Sequence, residues 1–83
     1  MKTAIEFATD AGTEYCEQLI ADKKNWVICD ETDSAIPCTE ATEFADGDYS
    51  ELNRLYPDAD IRAAESAYVD AFNARLAQWF AEQ

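Results

Sequence analysis

The sequence has no histidine, only six basic residues, and no pair of cysteines spaced as in metal or redox sites. Histidine is the usual acid–base group near neutral pH and the commonest metal ligand, so its absence removes the ordinary means of both. The three cysteines, Cys16, Cys29 and Cys38, form no C-x-x-C motif. We interpret them as reduced thiols rather than a disulfide framework or a zinc site. We therefore expect no enzyme activity, no catalytic residue, no metal and no cofactor.

Long apolar runs are absent as well. No stretch approaches the roughly 18 apolar residues that a membrane-spanning helix needs. Glu6 interrupts the N-terminal region, where a signal peptide would keep an apolar run. The chain has 83 residues, which predicts one domain over 1–83. We expect a cytoplasmic protein.

Negative charge dominates what is present. Eighteen acidic residues oppose six basic ones, which gives a net charge of −12. Residues 30–60 hold ten of the acidic residues and only Arg54 among the basic ones, so this window carries −9. Such a surface disfavours nucleic acid and anionic membranes as partners and favours a basic protein surface. The alternative is a solvated acidic surface that has no partner.

Carboxylates in this window have spacings similar to the phosphate repeat of a nucleic-acid strand. Residues two apart on a strand lie about 7 Å apart on one face. Residues three or four apart on a helix lie about 5–6 Å apart at Cβ. The predicted partner-binding residues are Asp30, Glu31, Asp33, Glu40, Glu43, Asp46, Asp48 and Glu51.

The clearest periodicity lies at the C-terminus and predicts one long helix over 58–82. Pro57 ends the preceding segment, and Asp58 or Asp60 is suited to cap the helix. Trp79 and Phe80 are adjacent, so they cannot point the same way, and one of them is expected to be exposed. The apolar face has the i, i+3, i+4, i+7 spacing of a buried stripe and consists of Ile61, Ala64, Tyr68, Ala71, Phe72, Leu76 and Trp79.

The rest of the chain predicts a mixture of strands and helices. Residues 1–9 fit either a short strand or a helix, and residues 10–23 fit a helix with a boundary or kink near Gly12. Residues 26–29 and about 35–44 predict a β-hairpin, and a short helix follows the turn at 46–48. We therefore predict an α+β fold. In it, a small antiparallel β-sheet packs against helices, as a hairpin or as three strands if residues 1–8 add one, with the long C-terminal helix across it.

The segment Asp46–Glu51 has acidic residues at positions 1 and 3 of an EF-hand-like loop. An EF-hand also needs glycine at position 6 and glutamate at position 12. Those positions hold Glu51 and Pro57. The sequence therefore disfavours a calcium site here.

In size and composition, the chain resembles the small acidic inhibitors encoded by bacteriophages, namely anti-CRISPR proteins and DNA mimics. The resemblance rests on no diagnostic motif, so no functional residue is carried over. It implies a stoichiometric inhibitor that occupies the basic nucleic-acid-binding site of a host defence complex, with a Cascade-type effector favoured, in the cytoplasm of the host bacterial cell. The alternatives are an immunity or antitoxin protein that blocks a basic nuclease, and an assembly or scaffold module that uses the C-terminal helix.

Overall fold

A computed structural model of the protein describes residues 2–22 and 41–82 together with the backbone of residues 27–29 and 34–36. Three helices account for most of this, namely α1 (Ala4–Ala21), α2 (Asp46–Leu55) and α3 (Ile61–Ala81). Two short strands, β1 (Val27–Cys29) and β2 (Ser34–Ile36), lie between α1 and α2 in the chain. No helix in the described segments combines the length and the apolarity needed to cross a bilayer.

The predicted α+β fold, with helices covering a small antiparallel sheet, is wrong. The core is built by helix on helix, because α1 packs along α3 and α2 packs on α1. Within 2–22 and 41–82, every buried hydrophobic residue lies on a helix except Phe44. The strands β1 and β2 pair antiparallel over three residues each, with Ile28 opposite Ala35. A hairpin of this length is too short to form a layer of the core. The protein is therefore helical, and residues 41–44, predicted to end the return strand, contain no strand.

Helix α1 begins earlier than its apolar pattern alone requires, because a capping box starts it. The hydroxyl of Thr3 accepts a hydrogen bond from the Glu6 N–H at 3.1 Å, and the Thr3 N–H donates to Glu6 Oε1 at 3.2 Å. These bonds satisfy N–H groups that a helix start otherwise leaves without partners. Residues 4–9 are consequently helical, and a third strand from residues 1–8 is excluded.

The predicted boundary or kink at Gly12 is also wrong, since α1 runs unbroken from Ala4 to Ala21. Gly12 is buried where α1 meets the backbone of α3. A Cβ atom at this position would lie 2.2 Å from the carbonyl oxygen of Tyr68. Glycine weakens a helix by about 1 kcal/mol relative to alanine. Close contact between the two helices offsets that weakness.

Helices α1 and α3 run side by side in the same direction. Ala8 shares a cluster with Ala64 near the start of both helices, and Cys16 shares a second cluster with Phe72 farther along. The buried α1 residues along this contact follow one another at intervals of four, four and three, and are Ala8, Gly12, Cys16 and Leu19. The buried α3 residues are Ala64, Tyr68, Phe72 and Leu76.

Residues 41–45 lie along α3 and lead the chain into α2. Asn73 holds Ala41 with two hydrogen bonds, accepting from its N–H at 2.8 Å and donating to its carbonyl at 3.2 Å. The centroids of the Phe44 and Tyr68 rings are 4.7 Å apart. The backbone N–H of Phe44 donates to Glu65 Oε2 at 3.2 Å. This segment sets the position of α2 relative to the two long helices.

Helix α3 starts at one of the two aspartates expected to cap it. Asp60 is the N-cap, and its Oδ1 accepts from the Ala63 N–H at 3.2 Å. At the other end, the Trp79 and Phe80 rings meet edge to face with centroids 5.1 Å apart. Phe80 is the exposed member of the pair, at 44% of its full accessibility, and Trp79 is half-buried.

Candidate functional site

The eight predicted partner-binding residues divide into two groups. Asp30, Glu31, Asp33 and Glu40 lie outside the described residues. Glu43 and Asp46 are exposed, and Asp48 and Glu51 are half-buried on α2. Of the four predicted residues that the structure describes, Asp48 and Glu51 are the ones that line a concave site.

That site is a groove between α1 and the beginning of α2, with a volume of about 450 Å³. Helix α1 contributes Asp10 and Glu14 to it, and α2 contributes Asp48 and Glu51, so carboxylates from distant parts of the sequence converge. The apolar part of the lining consists of Phe7, Ala11, Tyr15 and Ala45. The groove therefore has apolar and aromatic surface edged by negative charge.

The carboxylates of α1 belong to a longer row, which we call the acidic stripe. It consists of Glu6, Asp10, Glu14 and Glu17, all exposed, at intervals of four, four and three residues. At 3.6 residues per turn these positions fall within about 80° of one another around the helix. They lie roughly opposite the buried positions of α1, and successive members are about 4.5–6 Å apart along the axis.

Sequence reasoning missed the acidic stripe because it compared net charge in windows. Residues 1–29 are nearly balanced there, since Lys23 and Lys24 offset acidic residues. The helical spacing of the four carboxylates was the signal that would have found the stripe. That spacing is recognisable only when residues 6–17 form one helix. The sequence alone leaves residues 1–9 open between strand and helix and predicts a boundary near Gly12.

Asp48 is anchored by a buried tyrosine. The Tyr68 hydroxyl donates to Asp48 Oδ2 at 2.7 Å, and the Tyr68 ring is fully buried beneath α2. Burial, and then the hydrogen bond to Asp48, raises the pKa of Tyr68 well above its ordinary value. The neutral phenol therefore remains a donor over the physiological pH range, and it holds both the carboxylate and the first turns of α2 in place.

Two basic residues contact carboxylates of the groove. Lys2 Nζ lies 2.6 Å from Asp10 Oδ2, and this hydrogen bond raises the pKa of Lys2. Arg54 pairs with Glu51 through both carboxylate oxygens, with Nε 3.3 Å from Oε2, and the pairing lowers the pKa of Glu51. Lys2 is the one basic side chain among the described lining residues, against four carboxylates. The groove therefore keeps a negative balance.

The groove is not arranged as a metal centre. Among the described residues, no group of three or more Cys, Asp or Glu side chains lies close enough to hold an ion. The segment Asp46–Glu51 forms the first turns of α2 instead of a cation-binding loop. What this arrangement can do chemically is attract and hold positive charge.

Comparison with protein-family models, with curated proteins and with solved structures finds no significant match to this chain. The features of this chain that bear on its function are the groove, the acidic stripe and the net charge.

Proposed function

We propose that the protein is a non-catalytic, stoichiometric inhibitor whose acidic surface occupies the basic nucleic-acid-binding site of a host defence complex. A CRISPR effector of the Cascade type is the favoured target, and the inhibitor would act in the cytoplasm of the host bacterial cell. The observation that carries the proposal is that two members of the acidic stripe, Asp10 and Glu14, line the same groove as Asp48 and Glu51 of α2.

The spacing of the acidic stripe supports competition with nucleic acid. The Cβ atoms of neighbouring residues in the stripe stand about 5–6 Å apart on one face of the helix. A row of basic side chains that contacts successive phosphates would meet a similar row of charges here. Because the helix is already folded, little backbone ordering is needed on binding, and that favours affinity.

The electrostatic state of the isolated protein supports a basic partner as well. Like charges four residues apart on a helix destabilise it modestly. Among the described ion pairs, only Lys2–Asp10 neutralises a member of the stripe. A basic surface that approaches this face relieves the remaining repulsion, and the field of a chain with net charge −12 steers such a surface toward it.

The test is inhibition of DNA binding by a purified Cascade-type effector, measured by electrophoretic mobility shift. We expect DNA binding to fall in proportion to added protein, with completion near one equivalent per site. Glu14→Lys/Glu17→Lys should abolish inhibition, because like charges in an interface repel strongly. Asp70→Lys/Glu82→Lys, on α3 and at its C-cap, changes the charge equally at exposed positions outside the stripe and should still inhibit.

Unchanged DNA binding at a several-fold excess of protein would contradict the choice of effector. Inhibition of a basic nuclease in the same experiment would then favour the immunity-protein class. Equal loss of inhibition in both double variants would contradict the acidic stripe as the binding face.

One observation favours a second candidate, an assembly module. Phe80 exposes 44% of its surface near the C-terminal end of α3, away from the groove lining. Apolar contacts are insensitive to screening by salt, unlike contacts between exposed charges. If binding of a partner is abolished by Phe80→Ala but persists at high salt in the wild type, this candidate is supported over the inhibitor.

A further inference from the structure

The groove between α1 and α2 combines aromatic surface with negative charge. Aromatic side chains, Phe7 and Tyr15, lie in the same lining as carboxylates from both helices. The volume of about 450 Å³ is within the range of sites that bind a ligand or a short segment of chain. The groove is therefore a concave site of definite charge.

The side chain of Lys2 already contacts a residue of this site. Lys2 precedes α1, and its ammonium group lies 2.6 Å from Asp10 Oδ2. Its carbonyl oxygen accepts a hydrogen bond from the Tyr56 hydroxyl at 2.8 Å, which fixes the backbone beside the groove. The side chains of Lys2 and Asp10 remain 58% and 57% exposed. Exposed ion pairs contribute little to stability, so this one is readily exchanged.

We infer that the groove is the binding site for an arginine-bearing segment of the basic partner. In the isolated protein the Lys2 side chain occupies this site until the partner displaces it. The inference rests on the proposed function and deepens it, since it names the part of the acidic face that recognises the partner and the side chain that is recognised.

Arginine fits the lining better than lysine does. A guanidinium group is planar, stacks on aromatic rings and donates two parallel hydrogen bonds to a carboxylate. Phe7 and Tyr15, whose rings also contact Tyr56 and Phe72, contribute aromatic surface to the lining. Glu14 contributes an exposed carboxylate. The pairing of Arg54 with Glu51 shows two-point guanidinium binding by one of the lining carboxylates.

The test measures binding of a fluorescent peptide of alternating arginine and glycine at low salt by anisotropy. Glu14→Gln removes a groove charge, and Glu17→Gln removes an exposed charge from the same helix outside the groove lining. We expect Glu14→Gln to weaken binding by about tenfold or more, as loss of a charge-assisted hydrogen bond does. Glu17→Gln should weaken it by less than about threefold, because only a screened long-range charge is lost.

A second pair tests Lys2 as the internal occupant. Lys2→Gln should tighten peptide binding several-fold, because the groove is vacated and its negative charge rises. Arg62→Gln makes the same change in net charge at an exposed position outside the groove lining, so it should have a much smaller effect. A peptide of alternating lysine and glycine of equal length should bind the wild type more weakly than the arginine peptide. Circular dichroism of each variant confirms folding.

Equal effects of Glu14→Gln and Glu17→Gln, together with equal effects of Lys2→Gln and Arg62→Gln, would show that the groove is not the binding site. If the wild type still binds the peptide in that case, the acidic-face proposal stands. Equal affinity for the two peptides would overturn the assignment to arginine. Failure of the wild type to bind either peptide at low salt would overturn both the inference and the proposed function.

Discussion

Gly12→Ala tests the packing of α1 on α3 most sharply. In an ordinary exposed helix this substitution stabilises, by about 1 kcal/mol, because alanine has the higher helix propensity. Here the new Cβ would lie 2.2 Å from the Tyr68 carbonyl oxygen, closer than the 3.0 Å below which real Cβ atoms essentially never approach. The helices must therefore separate locally by about 0.8 Å, the difference between those two distances.

The expected magnitude follows from the neighbours of that contact. Ala8 and Cys16, one turn to either side of Gly12, are both fully buried, so separation also loosens contacts above and below it. Overpacking of this kind destabilises by about 1–3 kcal/mol and occasionally more. After the gain in propensity, we expect a net loss of about 1–2 kcal/mol, which lowers the melting temperature by about 4–8 °C per kcal/mol in a domain of this size.

Gly47→Ala is the matched control. Gly47 lies in the first turn of α2, and nothing lies within 4 Å of where its Cβ would be. This variant should be unchanged or stabilised by up to about 1 kcal/mol. Both free energies of unfolding are measured by urea denaturation followed by circular dichroism. If Gly12→Ala were as stable as Gly47→Ala, the close parallel packing of α1 and α3 would be refuted.

Three further predictions concern stability. The pKa of Tyr68 is raised in the folded state, so its contribution to stability is complete below pH about 10 and is lost as the pH rises further. Tyr68→Phe should remove that part of the alkaline destabilisation, as measured by urea titrations below and above pH about 10. Asn73→Ala should lose about 1–3 kcal/mol, because two hydrogen bonds to the 41–45 segment disappear, whereas Gln78→Ala at an exposed position should change stability by less than about 0.5 kcal/mol. Phe72→Ala should lose about 3–5 kcal/mol and Phe80→Ala less than about 1 kcal/mol; similar losses at both would contradict the burial of Phe72.

The C-terminal helix was predictable because its signal is local and repeated. Apolar residues at helical spacing, a capping aspartate and a preceding proline all indicate the same element, and α3 lies within the predicted range. Helix α1 was harder, because Gly12 reads as a breaker when only propensity is considered. Its packing partner, the backbone at Tyr68, lies 56 residues away in the sequence. Long-range packing outweighed local propensity at that position.

The predicted extension of the return strand to residue 44 failed for a similar reason. Residues 35–44 have a composition compatible with a strand, yet Ala41 and Phe44 bond to side chains of α3 and to no strand. Asn73 and Glu65 supply those bonds, and neither belongs to the apolar face that the sequence predicts for the C-terminal helix. A polar side chain that satisfies the backbone of a distant segment leaves no periodic trace.

The candidate site was predictable only in part. Asp48 and Glu51 were among the expected partner-binding residues, and both line the groove. Their neighbours Asp10 and Glu14 come from α1, so they became visible only when α2 was placed against that helix. Net charge indicates that a protein favours a basic partner, but it does not indicate which helices form the face.

The dependence of affinity on salt tests the central proposal most directly. Calorimetric titration of the wild-type protein into a purified Cascade-type effector, at about 50 mM and about 300 mM salt, compares binding with and without screening. The proposal predicts saturation at one protein per basic site and an affinity that falls by an order of magnitude or more at the higher salt. Tight binding that is the same at both salt concentrations would contradict it and would place the contact on apolar surface instead.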